Sequence, residues 1–479
     1  MTDSVALTMA GEERPISSRE IDDLRLALRG EVLLPLNGGY DAARAVWNGL
    51  IDRRPALIAR CTGPADVLAA VRFCRERELL VSVRGGAHNV AGHAVCDRGV
   101  MIDLSPMRGV RVDPANRTAR AQAGVTWGAL DHETQMYALA TPGGLVSDTG
   151  IAGLTLSGGL GWLRGKHGLS CDNLRSADVV TADARLTVAG PEGDPDLLWG
   201  LRGGGGNLGI VTSFEFDLHP VGPMCMFVFV NYPGERAAET LRAFREYSAA
   251  APAEVSSLAS IWRIPDDDAF PEAARGRAAL LVAACYAGPV DEGERVMAPL
   301  RHLDRPLLDL SRVTPYVSLQ TVFDADYPWG AYYYWKSLYL ADLSDEAIDE
   351  TVARGLTAPS PHTNIDIWPI GPGVRRYGAD DAAFGRRDAR YVVTVEANWR
   401  DRAETERNVA WAREFWEALR PLSQGGMYPN FAGLVQEASA VVRASFPGTY
   451  ERLAALKRAY DPANFFRLNL NVPPTPLDE

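Results

Sequence analysis

The sequence is poor in cysteine: six residues in 479, with no CxxC pair and no cysteine beside histidines at metal-ligand spacing. That excludes a zinc ribbon or finger and marks most of Cys61, Cys74, Cys96, Cys171, Cys225 and Cys285 as buried free thiols. It has no apolar run of the roughly 18 residues that a spanning helix needs. Nor does a basic stretch lead into an apolar core at the N-terminus. The expected setting is therefore the cytoplasm, with no membrane partner. Positive charge is also short. Lys and Arg number 49 against 61 Asp and Glu, a formal net charge of −12, so the chain lacks the concentrated cations with which nucleic-acid binders displace counterions. Repeats and low-complexity tracts are missing too, which removes solenoids and arrays. What remains is a composition ordinary for a soluble globular fold, at a length that divides into two or three domains.

Glycine is abundant and concentrated in three segments of the N-terminal half. The first, Arg84, Gly85, Gly86, Ala87, His88 and Asn89, follows an apolar β-branched run and sets a histidine directly behind two glycines. The second carries Gly150, Gly153, Gly158, Gly159 and Gly161 and is followed by the polar pair Asp172 and Asn173. The third runs through Gly203, Gly204, Gly205, Gly206, Asn207, Gly209 and Val211. Glycine permits close backbone approach and positive backbone angles, and successive N–H groups then form a concavity for an anion such as a diphosphate.

Hydrophobic periodicity divides the chain. Residues 1–54 contain a helix over 18–28 and a linker. Residues 55–223 alternate short strands (56–61, 79–83, 100–104) with amphipathic helices such as 64–78, with a hairpin opening at 111–113 and a helix over 127–137. Residues 224–428 change texture, with long strands predicted at 225–232, 278–286, 331–340, 363–370 and 390–398. Helices at 234–250, 292–301, 344–354 and 402–419 lie between them, which fits an antiparallel sheet covered on one side by helices. Residues 429–479 form a tail with a helix over 450–459. The expected class is α+β.

The order R-G-G-x-H, G-x-x-G-L-T-L-x-G-G-x-G-W, G-L-x-x-D-N and L-W-x-L-R-G-G-G-x-N-x-G-I-V-T, closing on Tyr460, Asp461, Pro462, Ala463, Asn464, Phe465, Phe466 and Arg467, resembles the berberine bridge enzyme-like FAD-linked oxidases of the vanillyl-alcohol oxidase superfamily. The resemblance spans residues 55 to 474. It implies a PCMH-type FAD-binding domain, a roof sheet over the flavin, and a tail that returns to the flavin domain. It also implies that His88 carries the flavin through its 8α-methyl carbon. The second link of many members, a cysteine, falls at Val146 here, so a single covalent bond is expected. The other implied cofactor contacts are Arg84, Gly85, Gly86, Ala87, Asn89, Thr149, Gly150, Gly153, Gly158, Gly159, Gly161, Asp172, Asn173, Gly205, Asn207, Gly209, Val211, Asn469 and Asn471.

Hydride transfer needs a proton acceptor of tuned pKa, and the resemblance places it on the roof. The tyrosine of a family Y-x-N-Y segment is missing, because that segment reads Tyr428, Pro429, Asn430, Phe431. Glu396 is the first candidate, sharing a strand face with Thr394 by period-two alternation, with Tyr428 and Asp366 behind it. Thr149 is a candidate for hydrogen bonding at the flavin N5 position. Alternation also puts Tyr332, Tyr334 and Lys336 on one face and Tyr333, Trp335 and Ser337 on the other, so that one of the two is able to line an aromatic pocket. The expected activity is oxidation of a C–H beside an alcohol, phenol or amine in a small-to-medium organic substrate, with O2 as acceptor and H2O2 as product. An oxygenating flavoenzyme is the alternative, and a non-catalytic flavin-binding protein the third reading.

Overall fold

The computed structural model describes residues 4–433 and 439–474. Its N-terminal half is built on two sheets. In the first, strands Leu57–Arg60, Val100–Asp103 and Val81–Arg84 run parallel, as crossover connections demand. Strand Glu31–Leu33 adds an antiparallel edge beside Leu57–Arg60. Residues read as a linker thus belong to this sheet, and a further hairpin joins Ser4–Leu7 to Glu13–Ile16. The second sheet is antiparallel, in the order Leu186–Ala189, Leu174–Val180, Ile210–Asp217, Thr118–Gln122 and Val110–Asp113. The expected hairpin at 111–113 is its last pair. Helix Pro64–Arg75 places Val67, Ala70, Val71 and Cys74 in the shared core.

The second half is one large antiparallel sheet, ordered Leu308–Asp309, Met224–Pro233, Ala278–Tyr286, Val255–Arg263, Asn364–Pro369, Tyr391–Trp399 and Tyr332–Leu340. Five of these strands follow the sequence pattern. Val255–Arg263, at the centre, does not: its serines and alanines mask a strand that is buried from Val255 to Trp262. Helices Ala237–Ala250, Asp345–Gly355 and Thr405–Leu419 cover the outer face through Leu241, Phe244, Ile348, Phe415 and Leu419. The inner face turns Phe227, Phe229, Leu258, Trp262, Tyr333, Trp335 and Trp368 toward the first half. Tyr334 packs outward, so the alternation along Tyr332–Leu340 holds.

The tail is locked by a buried charge pair. Lys457 and Asp461, one helical turn apart, meet at 2.7 Å with no side-chain exposure. The ammonium also donates to the carbonyls of Asn207 and Phe466, and the carboxylate accepts from the N–H groups of Phe465 and Phe466. Every charge is answered inside the core, so the pair is tolerable there. It fastens the tail to the third glycine segment. All six cysteines are free and buried. Among the described residues no helix is long and apolar enough to cross a membrane, and no group of three or more His, Cys, Asp or Glu is placed to hold a metal ion.

Removing one partner leaves the other charge uncompensated. Asp461→Asn is expected to cost about 3–5 kcal/mol, read as a lowered midpoint in thermal unfolding. An unchanged midpoint would show that the tail is held by other contacts.

Candidate active site

The inner face of the large sheet closes over the glycine segments and leaves a cavity of about 310 Å³. Its floor is mainly backbone. Residues 85–89, with Thr149, Gly150 and Gly153, form one stretch, and Gly204, Gly205, Gly206, Gly209, Ile210 and Val211 another. The first two glycine segments meet main chain to main chain: a Cβ on Gly86 would lie 2.4 Å from the nitrogen of Gly150. Gly153, by contrast, has nothing within 4 Å of where a Cβ would stand, although it lines the cavity.

His88 sits where floor and roof converge. Its Nε2 lies 2.8 Å from Asp148 Oδ1, its Nδ1 is 3.5 Å from Thr149 Oγ1, and its ring stacks on Trp47 at 5.0 Å between centroids. Asn469 hangs its amide on the carbonyls of Gly206 and Phe466, leaving its buried oxygen without a partner.

The roof carries two buried carboxyls in register. Asn364 lies opposite Glu396, and Asp366 lies between Thr394 and Ser260. Glu396 is 2% exposed and Asp366 4%. Thr394 Oγ1 donates to Glu396 Oε1 at 2.9 Å, as the shared face predicts, and Tyr327 Oη donates to Oε2 at 2.8 Å. Asn364 donates to the same phenol, and Ser260 donates to Asp366. Burial pushes Asp366 up to about 7, with Asp326 adding to the rise against the Ser260 hydrogen bond. Burial and then the Asp366 charge push Glu396 well above the carboxylate range, although Tyr327 and Thr394 oppose this. Two carboxyls sharing a dry site cannot both ionise easily. Around them stand Trp262, Phe323, Trp335, Trp368 and Phe431.

Several residues expected at the cofactor lie off the cavity lining and make contacts within the frame. Arg84 reaches the carbonyls of Ala43 and Ala45. Asp172 is clamped by Arg387, 215 residues on, at 6% and 0% side-chain exposure for the two partners. Asn173 holds the carbonyls of His167 and Leu169. Asn207 ties Gly204 to Leu470 and Val472. Gly158, Gly159 and Gly161 lie behind the wall in a tight turn, and Asn471 is also off it. Tyr428 does line the cavity, but its oxygen already accepts from the N–H groups of Gly159 and Leu160 and from Asn430. Burial holds it up at about 12. It pins the glycine turn to the tail and is a poor base.

The structure adds residues without a sequence signal. Tyr327 and Trp329 lie in an aperiodic stretch, and Ser260 in the unrecognised strand. Asp148 stands beside Thr149, and only its contacts with His88 and Trp329 distinguish it.

Residues 55–190 match the FAD binding domain family, and residues 428–473 match the family described as berberine and berberine like. The chain is 31% identical to (R)-6-hydroxynicotine oxidase of Paenarthrobacter nicotinovorans over 471 residues, covering 94% of this chain and 98% of that one. An FAD-linked oxidoreductase of Dictyostelium discoideum is 29% identical, covering 89% and 91%. The crystal structure of 6-hydroxy-D-nicotine oxidase from Arthrobacter nicotinovorans superposes with a TM-score of 0.81 at 29% identity, covering 94% of this chain and 99% of that one. Glucooligosaccharide oxidase from Acremonium strictum gives 0.84 at 23% identity, covering 95% and 99%. This chain therefore belongs to the berberine bridge enzyme-like FAD-linked oxidases.

The residues present fit FAD: a floor of backbone, the spare Asn469 oxygen, and open space over Gly153. Gly153→Leu is expected to fill that space and cut the flavin-to-protein ratio at least tenfold without altering the circular dichroism spectrum. Full flavin content in this variant would place the cofactor elsewhere.

Proposed function

We propose that this chain is an oxidase with FAD tethered singly to His88, removing hydride from a carbon beside an amine or alcohol in a small-to-medium organic molecule and passing the electrons to O2. The observation that carries this reading is the roof itself: two buried carboxyls and a phenol, enclosed by aromatic rings, in one cavity with the His88 turn. The similarity to a hydroxynicotine oxidase supports an alkaloid-like substrate. FAD, when bound, supplies the hydride acceptor.

The protein's own part is positioning, exclusion of water, and handling of one proton. The aromatic walls offer flat contact to a ring-bearing substrate. Burial and mutual repulsion keep Asp366 and Glu396 from ionising together, and Asp366, ionised above about 7, is the site free to take the proton of the substrate's ammonium or hydroxyl. Tyr327 and Asn364 hold the Glu396 carboxyl in place. Gly85, Gly86, Ala87, Asn89, Thr149, Gly150, Gly205, Gly209, Val211 and Asn469 would hold the cofactor from the floor. No cysteine lines the cavity, and Val146 occupies its wall where a second tether would stand. The Thr149 hydroxyl lies 3.5 Å from His88 Nδ1, and an oxygenating flavoenzyme is the alternative reading. Product mass under ¹⁸O2 separates the two.

The tether is tested by acid precipitation. Flavin is expected to stay in the washed wild-type pellet and to leave it in His88→Ala; free flavin from the wild type would refute the tether.

The carboxyl pair sets a pH dependence. Below about 7 Asp366 is protonated and cannot accept a proton; above it Asp366 ionises. Anaerobic flavin reduction by substrate is therefore expected to accelerate with rising pH through about 7. Asp366→Asn should slow it roughly 10²-fold or more, and a variant as fast as the wild type would remove Asp366 from the chemistry.

A further inference from the structure

We propose that Asp148, held by Trp329, orients the His88 imidazole for cofactor attachment; this rests on the reading of His88 as the tether. Asp148 Oδ1 lies 2.8 Å from His88 Nε2 in an ion-pair contact, and among the described residues neither of these buried atoms makes a hydrogen bond. Trp329 Nε1 donates to the other carboxylate oxygen at 2.6 Å, and the edge of its ring meets the imidazole at 5.7 Å and 89°. Trp47 closes the opposite side by stacking. The ring is thus gripped on both sides and at one nitrogen.

The consequence is a choice of tautomer. Burial raises the Asp148 carboxyl, but the His88 contact and the Trp329 hydrogen bond bring it below its ordinary value, so it is ionised at neutral pH. A carboxylate facing Nε2 keeps the proton on that nitrogen and leaves the lone pair on Nδ1. Nδ1 is turned to Thr149 at 3.5 Å, too long for a strong hydrogen bond. Its lone pair is therefore unspent, on a residue that lines the cavity.

Attachment forms a bond from Nδ1 to the 8α carbon and breaks one methyl C–H bond. The carbon is oxidised and the ring takes up two electrons. The methyl proton and one proton from water become the ring's two added hydrogens, and the Nε2 proton passes through Asp148 to water in exchange. O2 then takes up two electrons and two protons, leaving as H2O2 and restoring the oxidised ring. Asp148 is thus a positioning residue that also receives a proton, and its side chain is 46% exposed, giving that proton a path to water.

Trp329 belongs to a strap, residues 323–330, that binds the flavin-side loop to the roof. Asp324 accepts from Ser147 N and Oγ, Trp329 holds Asp148, and Tyr327 reaches Glu396. The residue that aligns the tether and the residue that steadies the roof carboxyl are two positions apart on one segment.

Wild type, Asp148→Asn, Asp148→Glu and Trp329→Phe are incubated with FAD, and acid-stable and total bound flavin are followed in time. Asp148→Asn is expected to bind FAD but attach it at least tenfold more slowly, Asp148→Glu to recover most of the rate, and Trp329→Phe to fall between. The wild-type flavopeptide should carry an Nδ1-linked histidine, identified by the pH dependence of its fluorescence. Attachment by Asp148→Asn at the wild-type rate, an Nε2 linkage, or loss of total flavin binding would each overturn the proposal. Absence of acid-stable flavin in the wild type would instead overturn the His88 tether on which it rests.

Discussion

The contact on which the site depends is one of main chain against main chain. Gly86 and Gly150 approach so closely that a Cβ on either would stand 2.4–2.5 Å from the other's nitrogen. Only glycine at both positions permits this. The approach brings the histidine turn beside the loop that carries Asp148 and Thr149, so a nucleophile, its carboxylate and the cavity floor converge from segments about sixty residues apart. A methyl group at either glycine would force these turns apart.

From that junction the second half of the chain is positioned by polar contacts. Tyr428 hangs from two N–H groups of the second glycine segment. Arg164, fully buried, reaches the carbonyls of Gly161, Pro369 and Ser257 and so bridges floor and roof. Among the described residues its guanidinium is paired with no carboxylate, and burial lowers its pKa to about 9. The Asp172–Arg387 and Lys457–Asp461 pairs do similar work at the ends of the floor. The same dryness that makes these pairs costly raises Asp366 to about 7 and Glu396 well above the carboxylate range. Frame and chemistry therefore share one cause, the exclusion of water from the interface between the two halves.

Much of this was legible in the sequence, and the misses have physical reasons. Period-two alternation assigned Thr394 with Glu396, and Trp335 with Tyr333, to shared faces, because a pleated strand allows no other arrangement. Glycine density located the floor, but motif order could not separate residues that line the cavity from those that staple the turn behind it. Asp172 looks like a ligand carboxylate until Arg387 arrives from 215 residues away. The strand Val255–Arg263 escaped because small residues suffice where a strand is buried on both faces. The strap over residues 323–330 has no period at all; its roles arise only from what it touches.

The account requires that the roof carboxyls face the cofactor across a dry gap. A pH titration of the flavin visible spectrum, from 5 to 9 in the substrate-free oxidised protein, tests this most directly. Ionisation of the pair beside the ring predicts a spectral shift centred near pH 7 in the wild type that is lost in Asp366→Asn. A spectrum that does not change over this range, or a shift that survives the substitution, would contradict the account.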